Sequence, residues 1–126
     1  DMDSHLITPD IDSLNYHISH SERGSSDSAP FVVLDVDDVD GFGPETGTIK
    51  KLENGTYSYY VHQYSNYGSL KESEGSIQIF NSPTCTGEII NVPEEGEGRY
   101  WDAFKINGEN GEIVVINQIV SIEPGF

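Results

Sequence analysis

Gly47-Thr48-Ile49-Lys50-Lys51-Leu52-Glu53-Asn54-Gly55-Thr56-Tyr57-Ser58-Tyr59-Tyr60-Val61-His62-Gln63-Tyr64 carries the clearest strand–turn–strand pattern in the chain. Asn54-Gly55 is the strongest two-residue hairpin signal in the chain, since a tight type I′ turn needs positive φ at both central positions. The runs on either side, Gly47 to Leu52 and Thr56 to Tyr64, have the β-branched and aromatic content of strands. Side chains alternate across a strand, so Tyr57, Tyr59 and Val61 share one face and Tyr60, His62 and Tyr64 the other. Asn54-Gly55-Thr56 also fits a glycosylation acceptor, but the turn is the stronger reading.

Beyond this stretch, period-2 patterns recur and helical periodicity does not. Gly, Pro, Asn and Ser punctuate the chain every ~8–12 residues, as in all-β proteins. Further strands are predicted at Met2 to Thr8, Tyr16 to Ser19, Phe31 to Asp37, Ser76 to Phe80, Glu88 to Val92, Tyr100 to Ile106, Glu112 to Ile116 and Ile119 to Glu123. So many strands in 126 residues do not fit one small flat sheet. They predict a single domain over residues 1–126, a two-sheet antiparallel β-sandwich of immunoglobulin-like or jelly-roll-like kind. Ser21 to Ala29 reads as a polar loop within that domain.

The net charge is −16, from 22 acidic and 6 basic residues. Nucleic acid is excluded as a partner, because phosphate contacts need clustered Lys and Arg. No stretch is apolar over the ~20 residues that a membrane-spanning helix takes. No signal peptide is visible, so a secreted protein would be seen here in mature or excised form. The lone Cys85 makes no internal disulfide and no cysteine-rich zinc site.

The acid is concentrated in Asp35-Val36-Asp37-Asp38-Val39-Asp40-Gly41-Phe42-Gly43-Pro44-Glu45, with five carboxylates in eleven residues. Like charges this dense repel unless water screens them or a cation sits among them. Asp1, Asp3 and His5 share a face of the first strand, and Asp35 and Asp37 share a face of theirs. If these rows converge, Asp1, Asp3, Asp35, Asp37, Asp38 and Asp40 form an oxygen-rich site suited to Ca²⁺, with His5 and His62 as further ligands or their supports. A site dominated by His5, His17, His20 and His62 would suit Zn²⁺ instead. The acidic run lacks the closing Glu of an EF-hand, and His17-x-x-His20 lacks the glutamate of a zinc-protease motif.

In this order, Asp1-Met2-Asp3-Ser4-His5-Leu6, Leu34-Asp35-Val36-Asp37-Asp38, Gly43-Pro44-Glu45-Thr46, Tyr59-Tyr60-Val61-His62-Gln63-Tyr64 and Gly98-Arg99-Tyr100-Trp101-Asp102-Ala103-Phe104 span nearly the whole chain. The ordered set resembles bacterial extracytoplasmic β-sandwich modules of the YfaP type, domains of unknown function. The resemblance implies an accessory domain of a large secreted or wall-attached protein, beside other domains; no catalytic activity follows from it. Such domains carry a further strand ahead of the Asp-x-Asp-x-His element. Here the sequence begins at Asp1, so the resemblance implies that this strand precedes it or comes from a partner chain.

Three functions are therefore weighed. The first is a non-catalytic adhesion or spacer module, extracellular or on a bacterial cell surface, rigidified by a cation, with a protein or glycan as ligand. The second is a carbohydrate-binding module that stacks sugars on exposed Tyr60 and Tyr64. The third is a metal-dependent hydrolase with His5, His62 and an Asp as ligands and Glu45 as base.

Overall fold

A computed structural model of the chain describes residues 2–19, 21–36, 45–63, 70–73, 75–81 and 86–124. Among these residues ten strands are formed, in chain order: β1 (Met2–Ile7), β2 (His17–Ile18), β3 (Gly24–Ser25), β4 (Val32–Val36), β5 (Glu45–Ile49), β6 (Thr56–Gln63), β7 (Ser76–Asn81), β8 (Thr86–Asn91), β9 (Tyr100–Asn107) and β10 (Ile113–Val120). A single 3-10 turn, Leu70–Glu72, is the one helical element among the described residues. The all-β antiparallel architecture read from the sequence is what the chain adopts. Its strands form a five-stranded sheet in the order β10-β9-β6-β1-β2, a three-stranded sheet β3-β4-β5 and a hairpin β7-β8.

Alternation along β6 builds the core. Tyr57 and Val61 are buried on one side of the large sheet, with Tyr59 between them. Cross-strand partners continue that face: Leu6 lies opposite Tyr59, while Ile106, Phe104 and Trp101 lie opposite Tyr57, Tyr59 and Val61. The two smaller sheets cover it. Val32 and Leu34 of β4 pack with Leu6, Ile18 and Tyr57, and Ile90 of β8 packs with Val61, Trp101 and Ile119. Tyr59 and Ile106 touch both groups, so the core is continuous. The Tyr59 and Phe104 rings stack with centroids 5.0 Å apart, and the Tyr59 hydroxyl donates to Ser4 Oγ at 2.6 Å.

Two expectations need correction. Asn54-Gly55 does turn the chain, with Gly55 at φ 120°, and a Cβ there would lie 2.4 Å from Pro9 Cβ. It is not a hairpin, however, because β5 pairs with β4 whereas β6 pairs with β1 and β9. The turn carries the chain from one layer to the other. The two strands expected at 112–116 and 119–123 are one strand, β10. Its ladder with β9 shifts register between Val115 and Gln118, and Asn117 sits in the left-handed region at φ 51°. The indole N–H of the buried Trp101 donates to Asn117 Oδ1 at 2.8 Å and holds the bulge. The two-residue strand β3 has no sequence signal.

Candidate functional site

The face of the large sheet turned away from the core carries the ionisable residues. Two cross-strand rows run over it. Tyr60 lies opposite His5 on one side and Asp102 on the other, and His62 lies opposite Asp3 and Tyr100. His17 enters from β2, where it pairs with Ile7. Glu123 comes from the segment that follows β10.

These side chains are joined to one another. The Tyr60 hydroxyl donates to Glu123 Oε1 at 2.5 Å. His17 Nε2 lies 3.2 Å from the Tyr60 oxygen and 2.8 Å from His5 Nδ1. One assignment of hydrogens satisfies all three of these contacts. Tyr60 has one hydrogen and gives it to Glu123, so its oxygen accepts from His17. His17 therefore carries its hydrogen on Nε2 and shares it with the lone pair of His5 Nδ1, which leaves the His5 hydrogen on Nε2. The rings pack as well, with His5 stacked on Tyr60 at 4.8 Å and 3°, and His62 on Tyr100 at 4.7 Å and 13°.

Burial sets the chemistry. Tyr60 is 0 % exposed and His5 is 9 % exposed. Desolvation, followed by the Glu123 carboxylate that accepts its hydrogen, raises the Tyr60 phenol well above its ordinary range. Tyr60 is thus a fixed donor rather than a base or nucleophile. Asp102 is also raised, again through burial first, with Lys105 opposing the shift. Its Oδ1 is buried without a hydrogen-bond partner among the described residues. A cavity of about 340 Å³ lies away from this network, lined by Gly55, Thr56, Lys105, Asn107, Glu109 and Val114 among others.

Some of the expected site residues are brought together here, and others are separated. Asp3, His5 and His62 share the ionisable face, the His5 and His62 centroids being 6.1 Å apart. Asp35 belongs to β4, opposite Thr46, in the sheet that packs on the other face. Asp3 and Asp35 therefore belong to strands of two different sheets, β1 and β4. Asp1, Asp37, Asp38, Asp40, His20, Tyr64 and Cys85 lie outside the described residues. Tyr60 as an exposed sugar platform is corrected, because a fully buried ring offers no face to a ligand.

Among the described residues no three His, Cys, Asp or Glu side chains are grouped to hold a metal. The His5–His17 nitrogens, at 2.8 Å, stand at hydrogen-bond distance. Two ligands of a tetrahedral zinc would be about 3.3 Å apart, given Zn–N bonds of about 2.0–2.1 Å.

Fold and site together define an antiparallel β-sandwich whose outer face is closed by a His–Tyr–Glu network. Comparison with protein families, with curated proteins and with solved structures finds no match.

Proposed function

We propose that this chain is a non-catalytic accessory module, an adhesion or spacer domain of a larger secreted or surface-attached bacterial protein, stiffened by Ca²⁺ bound at one end of the β4–β5 pair. The observation that carries the ion site is the closing register of that pair, Val36 opposite Glu45. Asp35 and Glu45 stand at the same end of the sheet, and the sequence that joins them contains Asp37, Asp38 and Asp40. Hard oxygen ligands in that number suit Ca²⁺.

The non-catalytic reading is supported by how the ionisable groups are used. His5, His17, Tyr60 and Glu123 are bonded to one another and tie β1, β2 and the segment after β10 to the central strand β6. A metal hydrolase needs an open coordination position with a base poised beside it. Glu45, the base in that scheme, belongs to the other layer. A module loaded through both ends of its chain gains from such fastening.

The test is thermal unfolding of chelator-treated protein with excess Ca²⁺, then with Zn²⁺. Mass action gives about 2.7 kcal/mol at a hundredfold excess over Kd. A rise of several degrees with Ca²⁺ that Asp37→Ala abolishes is the expected result. An unchanged Tm with Ca²⁺ removes the ion from the proposal, and a rise with Zn²⁺ alone would move the site to the histidines.

A further inference from the structure

The ladder of the large sheet ends at β10, and no described strand pairs with its outer edge. An edge strand is a template for another chain, and proteins usually blunt it with Lys, Pro or very short length. β10 has eight residues and neither Lys nor Pro. Its first half reads Ile113-Val114-Val115-Ile116, with Val114 and Val115 48 % and 44 % exposed. The bulge at Asn117 interrupts the ladder beyond this segment, so the regular edge is Ile113–Ile116.

The hydrogen-bonding direction of each residue follows from one bond. The Asn107 N–H donates to the Glu112 carbonyl, so Glu112 and Asn107 form a hydrogen-bonded pair. Alternation then turns the N–H and C=O of Val114 toward β9 and those of Ile113 and Val115 outward.

Charge identifies the occupant. Glu109 and Glu112 precede the segment, and from Ile106 to Phe126 the chain contains no Lys or Arg. At the far end the loop bearing Glu94, Glu95 and Glu97 folds against the strand, with the Cβ position of Gly96 2.9 Å from Ile119 Cβ. The apolar edge is thus bracketed by Glu109 and Glu112 at one end and by Glu94 and Glu95 at the other, while Glu97 pairs with Lys71 and Lys105 lies across the ladder from Val114. A second copy, also at −16, would bring like charge to both ends.

We propose that the outer edge of β10 at Ile113–Ile116 receives an extended segment of a basic protein partner, added as a further strand, with Lys or Arg flanking β-branched residues. Backbone bonds to Ile113 and Val115 supply the pairing, and the flanking cations meet Glu109, Glu112, Glu94 and Glu95, Glu97 being paired already with Lys71. The inference goes beyond the module reading and does not depend on a bound ion.

The probe is a fluorescent peptide of alternating Val and Thr flanked by Lys, compared with the same core flanked by Glu. Binding is read by anisotropy at low and high salt. The Lys peptide is expected to bind at least tenfold tighter than the Glu peptide, and to weaken as salt rises. Val115→Pro removes an outward N–H without breaking a bond to β9, so it is expected to abolish binding. Amide exchange gives a second readout that needs no variant: peptide should protect Ile113 and Val115. Failure of the Lys peptide to bind, equal binding of both peptides, or protection elsewhere would overturn the proposal. So would self-association lost in Val115→Pro, which would make the occupant a second copy.

Discussion

Tyr60 and Glu123, 63 residues apart in sequence, share a hydrogen bond of 2.5 Å that fastens the segment after β10 to the centre of the large sheet. Tyr60→Phe keeps the buried ring and deletes the hydroxyl, so Glu123 loses its donor and His17 loses one acceptor. The expected cost is about 1–3 kcal/mol. Glu123→Gln should cost less, because an amide oxygen still accepts. In a double-mutant cycle by urea unfolding the pair should couple by at least ~0.5 kcal/mol. Additive losses would mean that the bond contributes nothing to stability.

The hydrogen count across the network has its own readout. His17 should be the Nε2–H tautomer, and His5 likewise, with Nδ1 of His5 as acceptor. Long-range ¹H–¹⁵N correlations at neutral pH resolve both. Tyr60→Phe leaves the His5–His17 bond in place, so the tautomers should persist. Observation of His5 as the Nδ1–H form would reverse the direction of that bond.

Asp102 stands beside Tyr60 on the same face, with its carboxylate raised by burial. A raised folded pKa means that the protonated form is the one folding favours. That contribution is full below the unfolded value of 3.8 and is lost as pH rises through the folded value. Near neutral pH the ionised carboxylate is therefore a burden on the fold. Asp102→Asn is expected to raise Tm by a few degrees at pH 7, with the gain shrinking as pH falls toward 4. A Tm difference independent of pH would show that desolvation of the charge is not the cause.

The alternation of Tyr57, Tyr59 and Val61 against Tyr60 and His62 is legible in the sequence because it depends only on the two-residue period of a strand. What that alternation leaves open is whether the second face meets water. Tyr60 reads as exposed because nothing in its neighbourhood announces the segment carrying Glu123, which lies beyond β10 and has no periodic signature. Asn54-Gly55 shows the same limit. A turn is a local property, whereas the partner of the strand leaving it is chosen by distant contacts, here β1 and β9 rather than β5. His17 reaches His5 only through the pairing of Ile7 with His17, a register that no short-range pattern specifies. Asp35 is visible as part of an acidic run, but the sheet that its strand joins is set by the pairing of β4 with β3 and β5.

Trp101 and Asn117 give the last prediction. The indole N–H, buried with a ring that is 1 % exposed, has Asn117 Oδ1 as its partner, and Asn117 holds the left-handed turn of the β10 bulge. Asn117→Gly adopts positive φ without strain but removes the acceptor, so the indole hydrogen is left buried and unsatisfied, at about 1–3 kcal/mol. Trp101→Phe removes the donor, and with it part of the packing around Val61 and Ile119. Once the donor is gone, Asn117→Gly should cost much less, since no indole N–H remains to orphan. Urea midpoints for the two single variants and the double variant decide the matter. If Asn117→Gly costs as much in the Trp101→Phe background as in the native one, the bond is incidental and the bulge is held by β9 alone.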